Sequence, residues 1–204
     1  MDSQINYSIP QQNFEIIRDQ IALVLATELA NQYNLDNTYP KVSKVYVERF
    51  TSVNSETEVP LLNVNLLSAT FEDQGALAQQ STLLFGIDVY TQSAFTDSED
   101  GDVLASKNCR QLGGLIRYIL KQDCYKQLAL PRGIVISKGQ VTGFKILDKT
   151  EVQDALCDVL GRVMYQIQAV ESNEPAGGNI ANEATMKVTF NTDDKGFYID
   201  CLSS

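Results

Sequence analysis

The stretch 82-TLLFGIDVYTQ-92 alternates cleanly, with Leu83, Phe85, Ile87 and Val89 on one side of an extended chain. Strict period-two alternation marks a strand with one buried face. Such a face needs a second layer, and the sequence supplies one after the acidic turn 96-TDSEDGD-102. The next segment, 102-DVLASKNCRQLGGLIRYILKQD-123, reads as one long helix. Leu104, Leu112, Leu115, Ile116, Ile119 and Leu120 share its apolar side, and Asp102 suits the positive end of its dipole.

Working toward the N-terminus, 59-VPLLNVNLL-67 is a strand with Leu62, Val64 and Leu66 on one face. The segment 42-VSKVYVERF-50 mixes Val42, Val45, Val47 and Phe50 with charges, as on an edge or half-exposed strand. The polar segments 51-TSVNSETE-58 and 68-SATFEDQGALAQQS-81 are expected as a turn and a loop. Before them lies a helix, 14-FEIIRDQIALVLATELANQY-33, with Phe14, Ile17, Ile21, Val24, Leu25 and Leu29 at three/four spacing and Asn13 or Ser8 as its cap.

Toward the C-terminus, 130-LPRG-133 is a turn and 134-IVISKGQVTGFKIL-147 a hairpin or a strand bent at Gly139. The segment 155-ALCDVLGRVMYQIQAVE-171 is a long strand carrying Val159, Val163, Tyr165, Ile167 and Ala169 on one face. Residues 172–184 have linker composition. Residues 185–204 then read as a β-hairpin, 185-TMKVTFN-191 and 197-FYIDCL-202 around 192-TDDKG-196. The expected fold is α+β. A mainly antiparallel sheet carries two long helices on one face, residues 1–171 form the core domain, and the C-terminal hairpin is an extension.

Bulk composition narrows the functions open to the chain. It has 204 residues, 44 % of them hydrophobic and 21 % charged, with a formal net charge of -10. That balance argues against general nucleic-acid binding, which rests on phosphate neutralisation. There is no histidine, which removes the commonest general base and metal ligand. No phosphate-cradling glycine motif occurs. The acidic loops 97-DSEDGDVLASKN-108 and 191-NTDDKGFYIDCL-202 both fail the calcium-loop pattern at its last position, with Asn108 and Leu202 where a bidentate Glu belongs. No cofactor, metal or catalytic residue is therefore assigned, and an enzyme is not expected. Cys109, Cys124, Cys157 and Cys201 form no CxxC pair and read as free thiols in a reducing compartment. The start, MDSQINYSIPQQ, lacks the basic and apolar regions of a secretory leader, and the longest fully apolar run, Ile21 to Ala26, is far short of a membrane span. A soluble intracellular protein is expected.

A family resemblance sits on the middle of the chain. The strand 83-LLFGIDVYTQS-93 runs through a short loop into 103-VLASKNCRQLGGLIRYIL-120, then 125-YKQLALPRGIV-135 and two further strands. This resembles the tail-terminator proteins of long-tailed bacteriophages. In those proteins an alternating apolar strand ending in Tyr leads into a helix rich in Leu, Ile and Arg, followed by a turn and more strands. The resemblance covers roughly residues 14–171. It implies a non-enzymatic virion protein, assembled in the host bacterial cytoplasm and located at the tail–neck junction. Such proteins form six-membered rings of themselves on the finished tail tube. The ring stops tube polymerisation and offers a docking surface to the neck or head-completion protein, and DNA passes through its channel without specific binding. A head–tail connector on the portal side is the close alternative, and a monomeric small-ligand-binding domain the further one.

Three surfaces are candidates for subunit or partner contact. On the first helix, Ile16, Leu23 and Ala30 form a second apolar stripe, seven residues apart and nearly opposite the main one, suited to contact with another part of the same chain or with a neighbouring subunit. On the second helix, Lys107, Arg110, Arg117 and Lys121 form a cationic stripe with Gly114 inside it, which reads either as a solvated helix face or as a docking stripe for an acidic surface of a neighbouring subunit, the tube or the neck. Two adjacent glycines in a helix cost about 1 kcal/mol each relative to alanine, so close approach of another backbone, or a bend, is expected there. In the hairpin, Val188, Phe190 and Phe197 suit either packing on the chain's own core domain or addition of a strand to a neighbouring sheet.

Overall fold

The computed structural model describes residues 9–51, 58–73, 78–94, 100–152, 156–172 and 196–198. In chain order these form helix α1 (Asn13–Leu35), strands β1 (Lys44–Val47), β2 (Leu61–Asp73) and β3 (Ala78–Ala94), and helix α2 (Gly101–Lys121). A 3-10 turn (Asp123–Tyr125) precedes β4 (Gln140–Val152) and β5 (Leu156–Ser172). The five strands lie in the order β4-β5-β3-β2-β1, and the three-residue β6 (Gly196–Tyr198) continues the sheet past β1.

The fold is α+β with a mixed sheet, which corrects the expectation of a mainly antiparallel one. β1 runs parallel to β2, while β2–β3, β3–β5 and β4–β5 are antiparallel. A parallel neighbour requires the chain to return to the same end of the sheet, and the long connection between Val47 and Leu61 allows that return where a tight hairpin would not. β1 is also no edge: it lies between β2 and β6, with Val45 and Tyr46 buried.

The polar segment 68–81, expected as a loop, is strand wherever it is described. β2 and β3 stay paired from Leu61↔Tyr90 to Asp73↔Gln79, with one bulge between Leu66 and Ser68. The backbone ladder continues because main-chain hydrogen bonds do not depend on apolar side chains. Where both faces of the ribbon meet solvent, the apolar alternation that signals a strand disappears.

Register places Leu62 and Val64 of β2, Leu83, Phe85, Ile87 and Val89 of β3, and Val163, Tyr165 and Ile167 of β5 on one face. Both helices cover it. Ile17, Ile21, Leu25 and Leu29 of α1 and Ala105, Cys109, Leu112, Ile116 and Leu120 of α2 join those strand residues in one core. Each large side chain buried there contributes about 1.5–3 kcal/mol.

Neither expected cap starts α1. Asn13 is its first residue and Ser8 lies outside the described residues. Gln12 precedes the helix, and its N–H donates to the Glu15 carboxylate at 2.9 Å, half of a capping box. The more consequential partner comes from β5. Glu171, only 3 % exposed, accepts a hydrogen bond from the Asn13 backbone N–H at 2.8 Å, and the Asn13 side chain donates to the Val170 carbonyl. A buried carboxylate at the positive end of α1 thereby ties the helix to the sheet.

β4 begins at Gln140, after Gly139, so the segment 134–147 is not a hairpin of its own. Before it, Val135 makes only isolated bridges, one of them to Ala169. The expected linker and most of the hairpin, Val188 and Phe190 included, lie outside the described residues. Of the second hairpin strand, Gly196–Tyr198 pairs antiparallel with the chain's own β1, Phe197 opposite Val45. Of the two placements open to the hairpin, on its own domain or in a neighbour's sheet, these three residues take the first.

Candidate contact surface on the second helix

The outer face of α2 is built by helical periodicity alone. The residues of this helix that are open to solvent are Val103, Lys107, Arg110, Gly114, Arg117, Tyr118 and Lys121. At 100° per residue they fall within one arc of about a quarter turn. All five residues expected on the cationic stripe are therefore brought together on one exposed surface. Tyr118, which the sequence reading passed over, joins them at 66 % exposure. Its position four residues beyond Gly114 was the available signal.

The stripe has no acidic member. Among the described residues, none of Lys107, Arg110, Arg117 and Lys121 makes an ion pair, whereas Arg18, Lys126, Lys138 and Arg162 do. The two glycines differ in environment. A Cβ on Gly113 would stand 2.8 Å from the Phe144 ring of β4, so this glycine lets the helix lie directly on the sheet edge. A Cβ on Gly114 would meet nothing within 4 Å. The expected close approach is thus intramolecular at Gly113, against a side chain, and absent at Gly114 among the described residues.

The helix ends in a cluster of charges. Lys138 donates to the Lys121 carbonyl at 3.0 Å, satisfying an open acceptor of the last turn, and both Lys138 and Lys126 approach Asp123. Hydrogen bonds from Lys126 and then Lys138 hold the Asp123 carboxyl below its usual range. Tyr125 donates to Glu28 of α1, which pushes the phenol up to about 12 and joins the two helices at this end.

The other proposed surfaces fare differently. Ile16, Leu23 and Ala30 of α1 are each half-buried, so the stripe is partly covered within the chain. Cys109 and Cys157 are buried, Cys124 is exposed, and Cys201 lies outside the described residues. Burial pushes the Cys109 thiol up to about 11, leaving it protonated and inert.

One polar constellation was not anticipated. On the sheet face away from the helices, Asn63 donates to Asn65 at 3.0 Å, Asn65 to Asp88 at 2.9 Å, and Arg162 grips Asp88 with two hydrogen bonds of 2.5 and 2.9 Å. Arg49 folds back over this face. Its backbone exchanges hydrogen bonds with the Asn63 amide at 3.0 and 2.9 Å, and its guanidinium lies 4.3 Å from the centre of the Tyr46 ring. Apart from the Asn63–Asn65 contact within β2, each partner comes from another strand or from the turn after β1, and only the strand register shows that.

Neither a protein-family model nor a curated protein matches this chain. Among the described residues, no helix is long and apolar enough to cross a membrane.

Proposed function

We propose that this chain is a non-enzymatic structural protein of a bacteriophage virion, located at the tail–neck junction. Copies of it form a ring, of six subunits in the resembled family, that caps the tail tube, ends its polymerisation and presents a docking surface to the neck or head-completion protein. DNA passes through the channel, whose lining by an acidic protein disfavours sticking. Two things support the reading. The strand–helix–turn–strand order of the resemblance runs through β3, α2, β4 and β5, and both helices lie on one side of the sheet. The observation that carries it is the outer face of α2: seven exposed residues, four cationic and none acidic, on a chain of net charge -10. Such a face suits steering and registering an assembly against an acidic surface.

The test is capture of tube ends. Purified protein added to polymerising tail tubes should bind one end and narrow the length distribution seen by electron microscopy. Tubes that grow unchanged would overturn the reading. Binding to a portal ring in place of the tube would move the protein to the connector role.

A further inference from the structure

The basic residues of this chain are segregated. Residues 103–147 hold eight of its 16 Lys and Arg but only one of its 26 Asp and Glu, a local balance of +7 against -17 for the remainder. In space this segment is α2, the turn at its end and most of β4. These adjoin one another, as the Phe144 ring beneath Gly113 and the Lys138 ammonium on the Lys121 carbonyl show.

A helix face built only for solubility usually intersperses signs, because opposite charges three or four residues apart stabilise it. Here the neighbours are alike. Lys107 and Arg110 are three apart, Arg117 and Lys121 four apart, and each such pair costs about 0.2–0.5 kcal/mol. The positions that could relieve this hold Val103, Gln111, Gly114 and Tyr118. Apolar surface is interleaved with the charge: Tyr118 is exposed, and Phe144 remains 37 % exposed at the rim between α2 and β4.

We infer that this face seats acidic residues of a second copy of the chain, drawn from the remainder that carries the balance of -17. The two surfaces are different patches of the same molecule, so the contact is head-to-tail and closes into a ring when the rotation allows. The inference rests on the ring reading above and names the surface through which neighbouring subunits meet. The contact is made by side chains. Although β4 lies at the edge of the sheet, bulges at Val141/Gly143 and Ile146/Asp148 and the charge of Lys145 blunt it against strand addition. Gly114 leaves a bare spot between Arg110 and Arg117 into which a neighbour's backbone fits.

Light scattering on the purified chain over a range of concentrations decides this. In 0.1 M salt, species should climb from 22.6 kDa toward a closed multiple. Raising salt to 1 M, where screening shortens to about 3 Å, should weaken association about tenfold or more. Arg110→Glu/Arg117→Glu should remain monomeric with an unchanged circular-dichroism spectrum, and Arg110→Gln/Arg117→Gln should fall between. A wild-type monomer at all concentrations in 0.1 M salt, or association indifferent to both salt and substitution, overturns the inference. The salt titration of wild-type protein needs no variant to fold. Association through this face without capping of tubes would remove the tail reading and leave the contact standing. Capping with salt-indifferent association would do the reverse.

Discussion

Phe85 and Asp88 lie three residues apart on β3, on opposite faces of the sheet, and water reaches neither. Phe85 is fully buried in the core between the sheet and the helices, where the gain comes from removing apolar surface from water. Asp88 is 3 % exposed on a face that no helix covers. It is sealed by its own partners, with Asn65 on one side, Arg162 on the other and the turn bearing Arg49 beyond. The apolar face tolerates any arrangement that fills space. The polar face is stable only with every donor matched, so it specifies register more sharply than it adds stability.

That contrast can be broken from either side. Phe85→Ala should cost the most, about 3–5 kcal/mol by chemical denaturation, from lost transfer energy plus a cavity beneath the helices. Asp88→Ala should cost less, about 2–3 kcal/mol, by leaving Arg162 and Asn65 without their acceptor. Replacing both partners, as Asp88→Leu/Arg162→Met, should recover much of that loss, which a purely additive pair would not do. If Asp88→Ala matched Phe85→Ala, the polar face would be a second core and the contrast would fail.

Smaller effects sharpen the picture on the helix side. Gly114→Ala should stabilise the isolated chain by up to about 1 kcal/mol, since nothing opposes the added methyl group and helix propensity favours it. Gly113→Ala should stabilise less or destabilise, because the Phe144 ring must shift first. Equal changes in melting temperature for the two would contradict the packing described at β4. Stability gained at Gly114 and lost self-association in the same variant would fit a neighbour's close approach there.

The smallest effect concerns Glu171, the one carboxylate buried on the helix side among the described residues. Burial raises the Glu171 carboxyl above its usual range, against backbone hydrogen bonds from Asn13 and Phe14 and one from Ser81. The folded chain therefore holds this proton more tightly than the unfolded chain. The stability it contributes is complete below the unfolded carboxyl pKa of about 4.3 and is lost as pH rises through the folded value. Glu171→Gln removes that loss while keeping an acceptor for the Asn13 N–H. The variant should gain on wild type as pH rises from about 4 to 7, and parallel stability curves would show that Glu171 ionises in place at no cost.

Much of this architecture was legible along the chain, for a reason visible in particular elements. α2, β3 and β5 each bury one face only, so their sequences carry an uninterrupted period that local reading recovers. The exposed stripe of α2 came with that period, since the helix that buries Leu112 and Ile116 must turn Lys107, Arg110, Arg117 and Lys121 outward. Other features depend on partners distant in sequence. The parallel placement of β1, Glu171 beneath α1, and the Arg49–Asn63 and Asn65–Asp88–Arg162 contacts join residues 14 to 158 positions apart, while the ribbon at 68–73 and 78–81 is local but carries no apolar alternation. Periodicity is a property of one element and survives in the string of letters. Register, and the pairing of one buried polar group with another, arise only when strands meet, and no local spacing encodes them.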